Sequence, residues 1–281
     1  MVDALNNLSE DNTEFNEFCD YLKKVSGITI APGKSYLVSA RIRQIMVDYK
    51  FQSLSELLRA LKGYNRKLQQ EVVDAMTTNE TFWFRDSYPY DYFSKTLLPH
   101  WNTDSTFEHR PIRVWSAACS SGQEPYSLGI LLEEYKEKNR FSKQVDIVAT
   151  DLSSQILDQA KLGEYDYLSI GRGLSKERLN KFFTSSCQKR WAVAQNIRRH
   201  IKFQPINLLD SYSNLGKFDI IFCRNVLIYF TKETKADMLT RMHQCLNPGG
   251  YLCLGSSEGL GNVSSLFTMV NCKPGLIYQA K

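Results

Sequence analysis

The sequence predicts an α/β protein: a mostly parallel sheet covered by helices on both faces, preceded by an all-helical segment and interrupted by a small antiparallel insert. Three observations carry this reading. From residue 112 onward, short β-branched or apolar runs alternate with amphipathic helical stretches, the pattern of βαβ units. Residues 13–75 read as helical throughout. Between residues 181 and 203 the alternation breaks into short apolar runs such as Trp191-Ala192-Val193 and Ile201-Lys202-Phe203.

The elements follow in order. Phe15, Phe18, Leu22 and Val25 keep helical spacing until Gly27 stops the helix. Residues 36–49, 53–62 and 65–76 continue the pattern, with Ser53 placed to cap its segment. These helices define an N-terminal domain over residues 13–76. Past Thr77, strands at 112–117, 145–150 and 218–223 alternate with helices at 124–138, 154–162 and 232–246. Strands at 250–254 and 275–279, with no helix between them, suit an antiparallel hairpin at the sheet edge. The second domain thus spans residues 77–281, with a β-subdomain inserted at 181–203.

Composition narrows the function classes. The 281 residues are 43% hydrophobic and 23% charged, as in ordinary globular proteins. No apolar run approaches the ~18 residues of a membrane span. Residues 1–16 are acidic and polar, unlike a signal peptide, so a cytoplasmic location is expected. Seven cysteines without C-x-x-C, and four histidines without H-x-x-x-H, predict reduced thiols and no metal site. The net charge of +5 is unevenly spread: residues 34–67 hold eight basic residues against Asp48 and Glu56. Taken alone, that stretch reads either as a solvated helical face or as a surface for an acidic partner.

In an open α/β sheet, ligands bind beyond the carboxyl ends of the strands. After the first strand, Ser116-Ala117-Ala118-Cys119-Ser120-Ser121-Gly122 is small throughout, so a ligand can approach its backbone, and Pro125 suits a helix start. A single glycine disfavours a pyrophosphate cofactor. Asp151, at the end of the second strand, suits the ribose hydroxyls of an adenosine, or simply a helix cap. Asn207 and Leu208 would lie near an adenine, and residues 224–229 near the reacting group. At the domain junction, Thr77-Thr78-Asn79-Glu80 leads into Phe82-Trp83-Phe84 and Arg85, whose guanidinium can face a carboxylate bidentately. Two other patterns fail. Gly255-Ser256-Ser257-Glu258-Gly259 resembles a hydrolase elbow, but no histidine follows His243. Residues 27–35 resemble a phosphate-binding loop, but the glycine spacing is wrong and no strand precedes it.

Together, Thr78-Asn79-Glu80-Thr81-Phe82-Trp83-Phe84-Arg85, Trp115-Ser116-Ala117-Ala118, Gly122-Gln123-Glu124-Pro125-Tyr126-Ser127, Thr150-Asp151 and Phe222-Cys223-Arg224-Asn225-Val226-Leu227-Ile228-Tyr229-Phe230 resemble the motifs of the glutamate O-methyltransferases of methyl-accepting chemotaxis receptors, the CheR family. The resemblance runs from about residue 13 to the end. It implies a Rossmann-like S-adenosylmethionine (SAM)-dependent fold, no metal, and receptor cytoplasmic domains as partner. It implies that Asn79, Thr81, Arg85, Glu124, Asp151, Asn207, Leu208, Arg224 and Asn225 hold SAM, and that Arg85 and Tyr229 flank the transferred methyl. The helical domain would dock the receptor, with Arg41 and Arg43 contributing charge. Some relatives grip a C-terminal receptor tether with a glycine-rich loop in the β-subdomain. Here residues 184–189 contain no glycine, which argues against tether binding.

The chemistry is consistent with these residues. A glutamate acceptor, with an ordinary pKa of ~4.3, is already ionised and needs no general base. Phe82, Trp83, Phe84 and Tyr229 are expected to form a dry wall. Two rivals stand beside this reading. A nucleic-acid methyltransferase would use the basic patch, but the Asn/Asp-Pro-Pro-aromatic run of base N-methylation is missing at residues 224–227. A non-catalytic SAM-binding module would be expected to have lost Arg85 or Tyr229.

Overall fold

The helical segment folds on itself because each helix carries one apolar stripe and polar residues fill its ends. In the computed structural model, which describes residues 13–185 and 189–281, α1 (Thr13–Ser26), α2 (Ser35–Asp48), α3 (Leu54–Leu61) and α4 (Arg66–Met76) bury Phe18, Leu22, Ile42, Leu57, Leu68 and Val72 in one core. The Ser53 hydroxyl accepts the Glu56 N–H, as the sequence predicts, and Asn65 caps α4 through the Leu68 N–H.

Past the junction come α5 (Tyr88–Tyr92), a π-helical turn and α6 (Leu98–Thr103). Then follow β1 (Ile112–Ala117), α7 (Gln123–Lys138), β2 (Val145–Asp151), α8 (Ser154–Leu162), β3 (Glu164–Tyr165), α9 (Tyr167–Ile170), α10 (Lys176–Phe182) and β4 (Phe183–Ser185). The chain continues through β5 (Trp191–Val193), α11 (Gln195–Arg198), β6 (Ile201–Pro205), β7 (Phe218–Cys223), α12 (Lys232–Gln244), β8 (Leu246–Leu254), β9 (Phe267–Cys272) and β10 (Gly275–Ala280). The large sheet runs β6-β2-β1-β7-β8-β10-β9, parallel except for β10, which is antiparallel to both its neighbours. Val114, Ile147 and Ile220 face one apolar layer, while Trp115, Val148 and Ile221 face the other. Burial on both faces explains why these strands read as continuous apolar runs.

The strand order reverses between β1 and β7, and the crevice at their carboxyl ends is where such a sheet binds ligands. Both strands deliver the loops singled out above to that edge.

Two expectations need correction. The terminal hairpin is β9–β10 and the sheet edge is β9; β8 and β10 are neighbours but not consecutive. The exposed, alternating residues 267–272 lack the apolar run by which the other strands were read. The insert is also placed differently. The small antiparallel sheet is β3-β5-β4 and starts at Glu164, whereas Ile201–Pro205 joins the large sheet parallel to β2. Residues 1–12 of the N-terminal reading, and Ser186, Cys187 and Gln188 of the loop at 184–189, lie outside the described residues. Among the described residues, no helix is long and apolar enough to cross a membrane, and no group of three or more His, Cys, Asp or Glu could hold a metal ion.

Candidate active site

A cleft of about 500 Å³ lies between the helical domain and the carboxyl edge of the sheet, a size suited to a nucleoside-sized ligand. Asn79, Thr81, Arg85, Glu124, Asp151, Asn207, Leu208, Arg224, Asn225 and Tyr229 all line it. Arg41 lines it too, and Arg43 does not.

The floor is built by the loop after β1. Small side chains let Ala118 and Ser120 adopt left-handed backbone, with φ of 56° and 51°. Phe84, Asp86, Ser87 and Asn225 share that conformation on the adjoining loops, whereas elsewhere among the described non-glycine residues only Lys50 and Lys189 do. Such strain persists where surrounding contacts over-determine the backbone, and it gathers at functional sites. Here the contacts are visible. The Ser120 N–H donates to Asp151 Oδ2 at 2.8 Å, and the Ser153 N–H donates to Oδ1 at 3.0 Å. The Ser120 hydroxyl donates to the Asn79 carbonyl at 2.8 Å, tying the junction to the floor. Burial pushes the Asp151 carboxyl above the usual aspartate value, and the Ser153 and Ser120 N–H groups oppose that only in part.

Arg224 is the hub of the far wall. Its Nη1 donates to Glu124 Oε2 at 3.0 Å, and its Nη2 donates to Asp86 Oδ2 at 2.9 Å and to the Arg85 carbonyl at 2.6 Å. The other Glu124 oxygen accepts the Ser116 hydroxyl at 2.8 Å. Arg224 and Glu124 thus join the β1 loop, the β7 loop and the junction to one another. Only Arg224 Nε remains, buried and without a hydrogen-bond partner. Beyond it, Glu258 Oε2 accepts the N–H groups of Asn225 and Gly255. The rejected hydrolase-like motif therefore braces the Asn225 loop. A Cβ on Gly255 would lie 2.7 Å from Asn225 Nδ2.

Arg85 differs from Arg224. Its Nη1 donates to the Glu80 carbonyl at 3.3 Å and its guanidinium lies 5.3 Å from the Phe82 ring centre, yet among the described residues no carboxylate pairs with it. The expected wall of four aromatics is corrected: Phe82 and Tyr229 face the cleft, but Trp83 and Phe84 do not. Trp83 is fully buried against Tyr165 and Phe183, and Phe84 packs on Tyr90 beneath Arg178. Phe84 has a left-handed backbone, and the three successive rings have different surroundings. Tyr90, unflagged by the sequence, and Phe230, the last residue of the motif that carries Tyr229, line the cleft instead.

Residues 25–30, connecting α1 to α2, close the cleft from the helical domain. Asn207 Nδ2 donates to the Val25 carbonyl at 2.7 Å. The Thr29 N–H and hydroxyl donate to the Tyr229 carbonyl at 3.1 and 2.8 Å. Gly27, at φ 75°, is pressed to the Phe230 ring, where a Cβ would sit 2.6 Å away. Sequence reading missed this strap because its partners Asn207, Tyr229 and Phe230 all come from loops of the other domain. Arg41 is likewise less exposed than expected: it donates to the Met76 and Thr77 carbonyls at 2.7 and 3.0 Å and to the Thr78 hydroxyl at 3.0 Å. It therefore ties α2 to the junction, whereas Arg43 stands exposed on the same helix.

Residues 79–276 match the family described as CheR methyltransferase, SAM binding domain, and residues 13–77 match its all-alpha domain. The chain belongs to the CheR methyltransferase family. This CheR-family chain is 49% identical over 276 residues to Chemotaxis protein methyltransferase 1 of Pseudomonas aeruginosa, covering 98% of this chain and 100% of that one. It is 47% identical over 277 residues to Chemotaxis protein methyltransferase Cher2 of Pseudomonas putida, covering 98% and 100%. It is 48% identical over 270 residues to Chemotaxis protein methyltransferase 1 of Vibrio cholerae, covering 95% and 97%. The CheR-family chain is accordingly a SAM-dependent methyltransferase, and its helical bundle, large sheet and small antiparallel sheet are the parts of that fold.

Proposed function

We propose that this enzyme transfers a methyl group from SAM to glutamate side chains on the cytoplasmic domains of chemotaxis receptors, forming methyl esters in the cytoplasm. One observation carries the reading. Of the three arginines that line the cleft, Arg224 is neutralised by Glu124 and Asp86 and Arg41 is taken up by the Met76 and Thr77 carbonyls and the Thr78 hydroxyl, while Arg85 has one backbone carbonyl and no carboxylate partner among the described residues. A guanidinium with no carboxylate partner, in the cleft that Tyr229 also lines, fits an acceptor that is itself a carboxylate. A nucleic-acid base offers no such group.

The cleft fits SAM on its own chemistry. Asp151 has lone pairs left for ribose hydroxyls, Asn207 and Leu208 suit the adenine, and the orphaned Nε of Arg224 suits an anionic group near Asn79, Thr81, Glu124 and Asn225. SAM supplies an electrophilic methyl on a sulfonium. The residues of the chain orient the acceptor. Arg85 holds the spectator oxygen of the glutamate, because pairing with the attacking oxygen would blunt it. Phe82, Tyr90 and Tyr229, under the strap, exclude water. Alignment supplies most of the acceleration, since well-oriented groups gain up to about 7–11 kcal/mol.

The decisive test is incubation with methyl-labelled SAM and receptor cytoplasmic fragments. Label released as methanol by mild alkali identifies a carboxyl ester; label retained through alkali, or taken up by RNA or DNA instead, refutes the proposal. Tyr229→Phe is expected to lower turnover about 10- to 100-fold, the range of one hydrogen bond to a charged group. Unchanged kinetics would remove the hydroxyl from the mechanism.

Docking separates the two arginines of α2. Arg43→Glu is expected to weaken receptor binding and flatten its salt dependence while leaving product-cofactor affinity intact. Arg41→Glu is expected to lower that affinity as well, because it cuts the tie to Thr78. Calorimetry of both variants against S-adenosylhomocysteine and receptor fragments checks this. Receptor affinity that ignores both changes would return the charge to solubility.

Cofactor affinity should also depend on pH. Ribose hydroxyls donate to an ionised Asp151, whose pKa is raised by burial. Affinity is full above that pKa and falls about tenfold per pH unit below it, beginning at higher pH than a solvent-exposed aspartate allows. Asp151→Asn is expected to bind weakly at every pH, and with this slope absent. A slope that survives in Asp151→Asn assigns the dependence elsewhere.

A further inference from the structure

The segment following α9 is joined to the junction by backbone and side chain alike. The Trp83 N–H donates to the Arg172 carbonyl at 3.2 Å, and the Trp83 indole N–H donates to the Ser169 carbonyl at 3.1 Å. A Cβ on Gly173, at φ 89°, would lie 2.0 Å from the Trp83 carbonyl oxygen, so the two backbones touch with no room for a side chain. Arg172 then reaches the two residues that Arg85 also uses. Its Nη1 donates to Glu80 Oε1 at 2.9 Å, and its guanidinium lies over the Phe82 ring at 4.3 Å. Arg85 meets the Glu80 carbonyl at 3.3 Å and the same ring at 5.3 Å. Arg172 thus contacts both Glu80 and Phe82, the residues on which the Arg85 side chain rests.

We infer that Arg172 is a positioning residue for Arg85, fixing Glu80 and Phe82 so that the Arg85 guanidinium is presented to the acceptor carboxylate. The inference rests on the reading of Arg85 given above. The Arg172–Glu80 ion pair is itself weak, because its side chains are 55% and 64% exposed. The contact of the guanidinium with the Phe82 ring at 4.3 Å carries the orientation, and lysine, without the planar fork, cannot reproduce it. The linkage also ties the reacting end of the cleft to the segment between β3 and β4, so that residues outside the cofactor cleft bear on turnover.

The test uses the full-length enzyme with receptor cytoplasmic fragments. Arg172→Ala is expected to lower kcat about fivefold, which corresponds to about 1 kcal/mol of barrier, while S-adenosylhomocysteine affinity by calorimetry stays within about twofold. Arg172→Lys recovers less than half of the loss. The Arg85 side-chain N–H signal in ¹⁵N-labelled protein, assigned by its absence from Arg85→Ala, shifts in Arg172→Ala. Added to Arg85→Ala, the change costs nothing further. A raised KM with unchanged kcat that Arg172→Lys restores would make Arg172 a charge that attracts substrate and overturn the inference. So would an unmoved Arg85 signal or additive losses in the double variant. Full turnover in Arg85→Ala alone would instead remove the reading of Arg85, and this inference with it.

Discussion

Arg85→Ala is expected to lower turnover about 10²- to 10³-fold while S-adenosylhomocysteine affinity changes less than about threefold, the signature of an interaction made with the reacting group. The expectation comes from what Arg85 lacks. Its side chain touches a backbone carbonyl and the Phe82 ring but no carboxylate among the described residues, so its charge is available to substrate. Its backbone is held independently, since the Arg85 carbonyl accepts from Arg224 at 2.6 Å. Truncating the side chain therefore leaves the junction in place, and the loss falls on chemistry. Single-turnover rates with receptor fragments, set beside calorimetry on the same protein, decide the matter. Equal losses in rate and affinity would mean that Arg85 only shapes the cofactor pocket. Arg85→Lys should recover a small part, because an ammonium offers charge without the fork that holds one carboxylate oxygen and frees the other.

How much of this was legible in the sequence depends on the range of the interaction. Periodicity and small residues are local, so β1, β2, β7 and the loops they carry to the sheet edge could be read directly. Motif residues named by resemblance lie together along one cleft because four strand ends and one junction meet there. The strap was illegible. Residues 27–35 read only as a failed phosphate loop, whereas Thr29 acts on Tyr229 at a separation of 200 residues. The division of labour between the arginines was hidden for the same reason, since Glu124 reaches Arg224 from 100 residues away. Nothing local distinguishes a neutralised guanidinium from a free one. The aromatic run failed differently: three adjacent rings suggest one wall, but Phe82 lines the cleft while Trp83 packs on Tyr165 and Phe183 and Phe84 on Tyr90.

The strained loops give this site a mechanical requirement that composition does not reveal. Ala118, Ser120, Asp86 and Asn225 each hold a left-handed backbone, and each lies on a segment bonded to Asp151, Glu258 or Arg224. Those carboxylates and that guanidinium secure the loops through the chain's own contacts. The resulting cost is concentrated in a few buried ion pairs.

Arg224→Met should accordingly be the most destabilising single change in the cleft, lowering stability by about 3–5 kcal/mol and the melting temperature by about 10 °C. The Arg224 side chain is 2% exposed, and its partners Glu124 and Asp86 are 11% and 28% exposed. Removing it leaves two largely buried carboxylates facing each other with no cation between them, and it cuts the bond to the Arg85 carbonyl. Arg224→Lys is expected to fall between, since one ammonium cannot span both carboxylates and the carbonyl together. The discriminating variant is the pair Arg224→Met with Glu124→Gln. Because much of the penalty is the uncompensated charge rather than a lost attraction, neutralising Glu124 should return about half of the stability while leaving the enzyme inactive. Denaturant unfolding of the single and double variants measures this. A single variant within about 1 kcal/mol of the parent, or a double variant no better than the single, would show that Arg224 serves the cofactor alone and that the loops hold their shape without it.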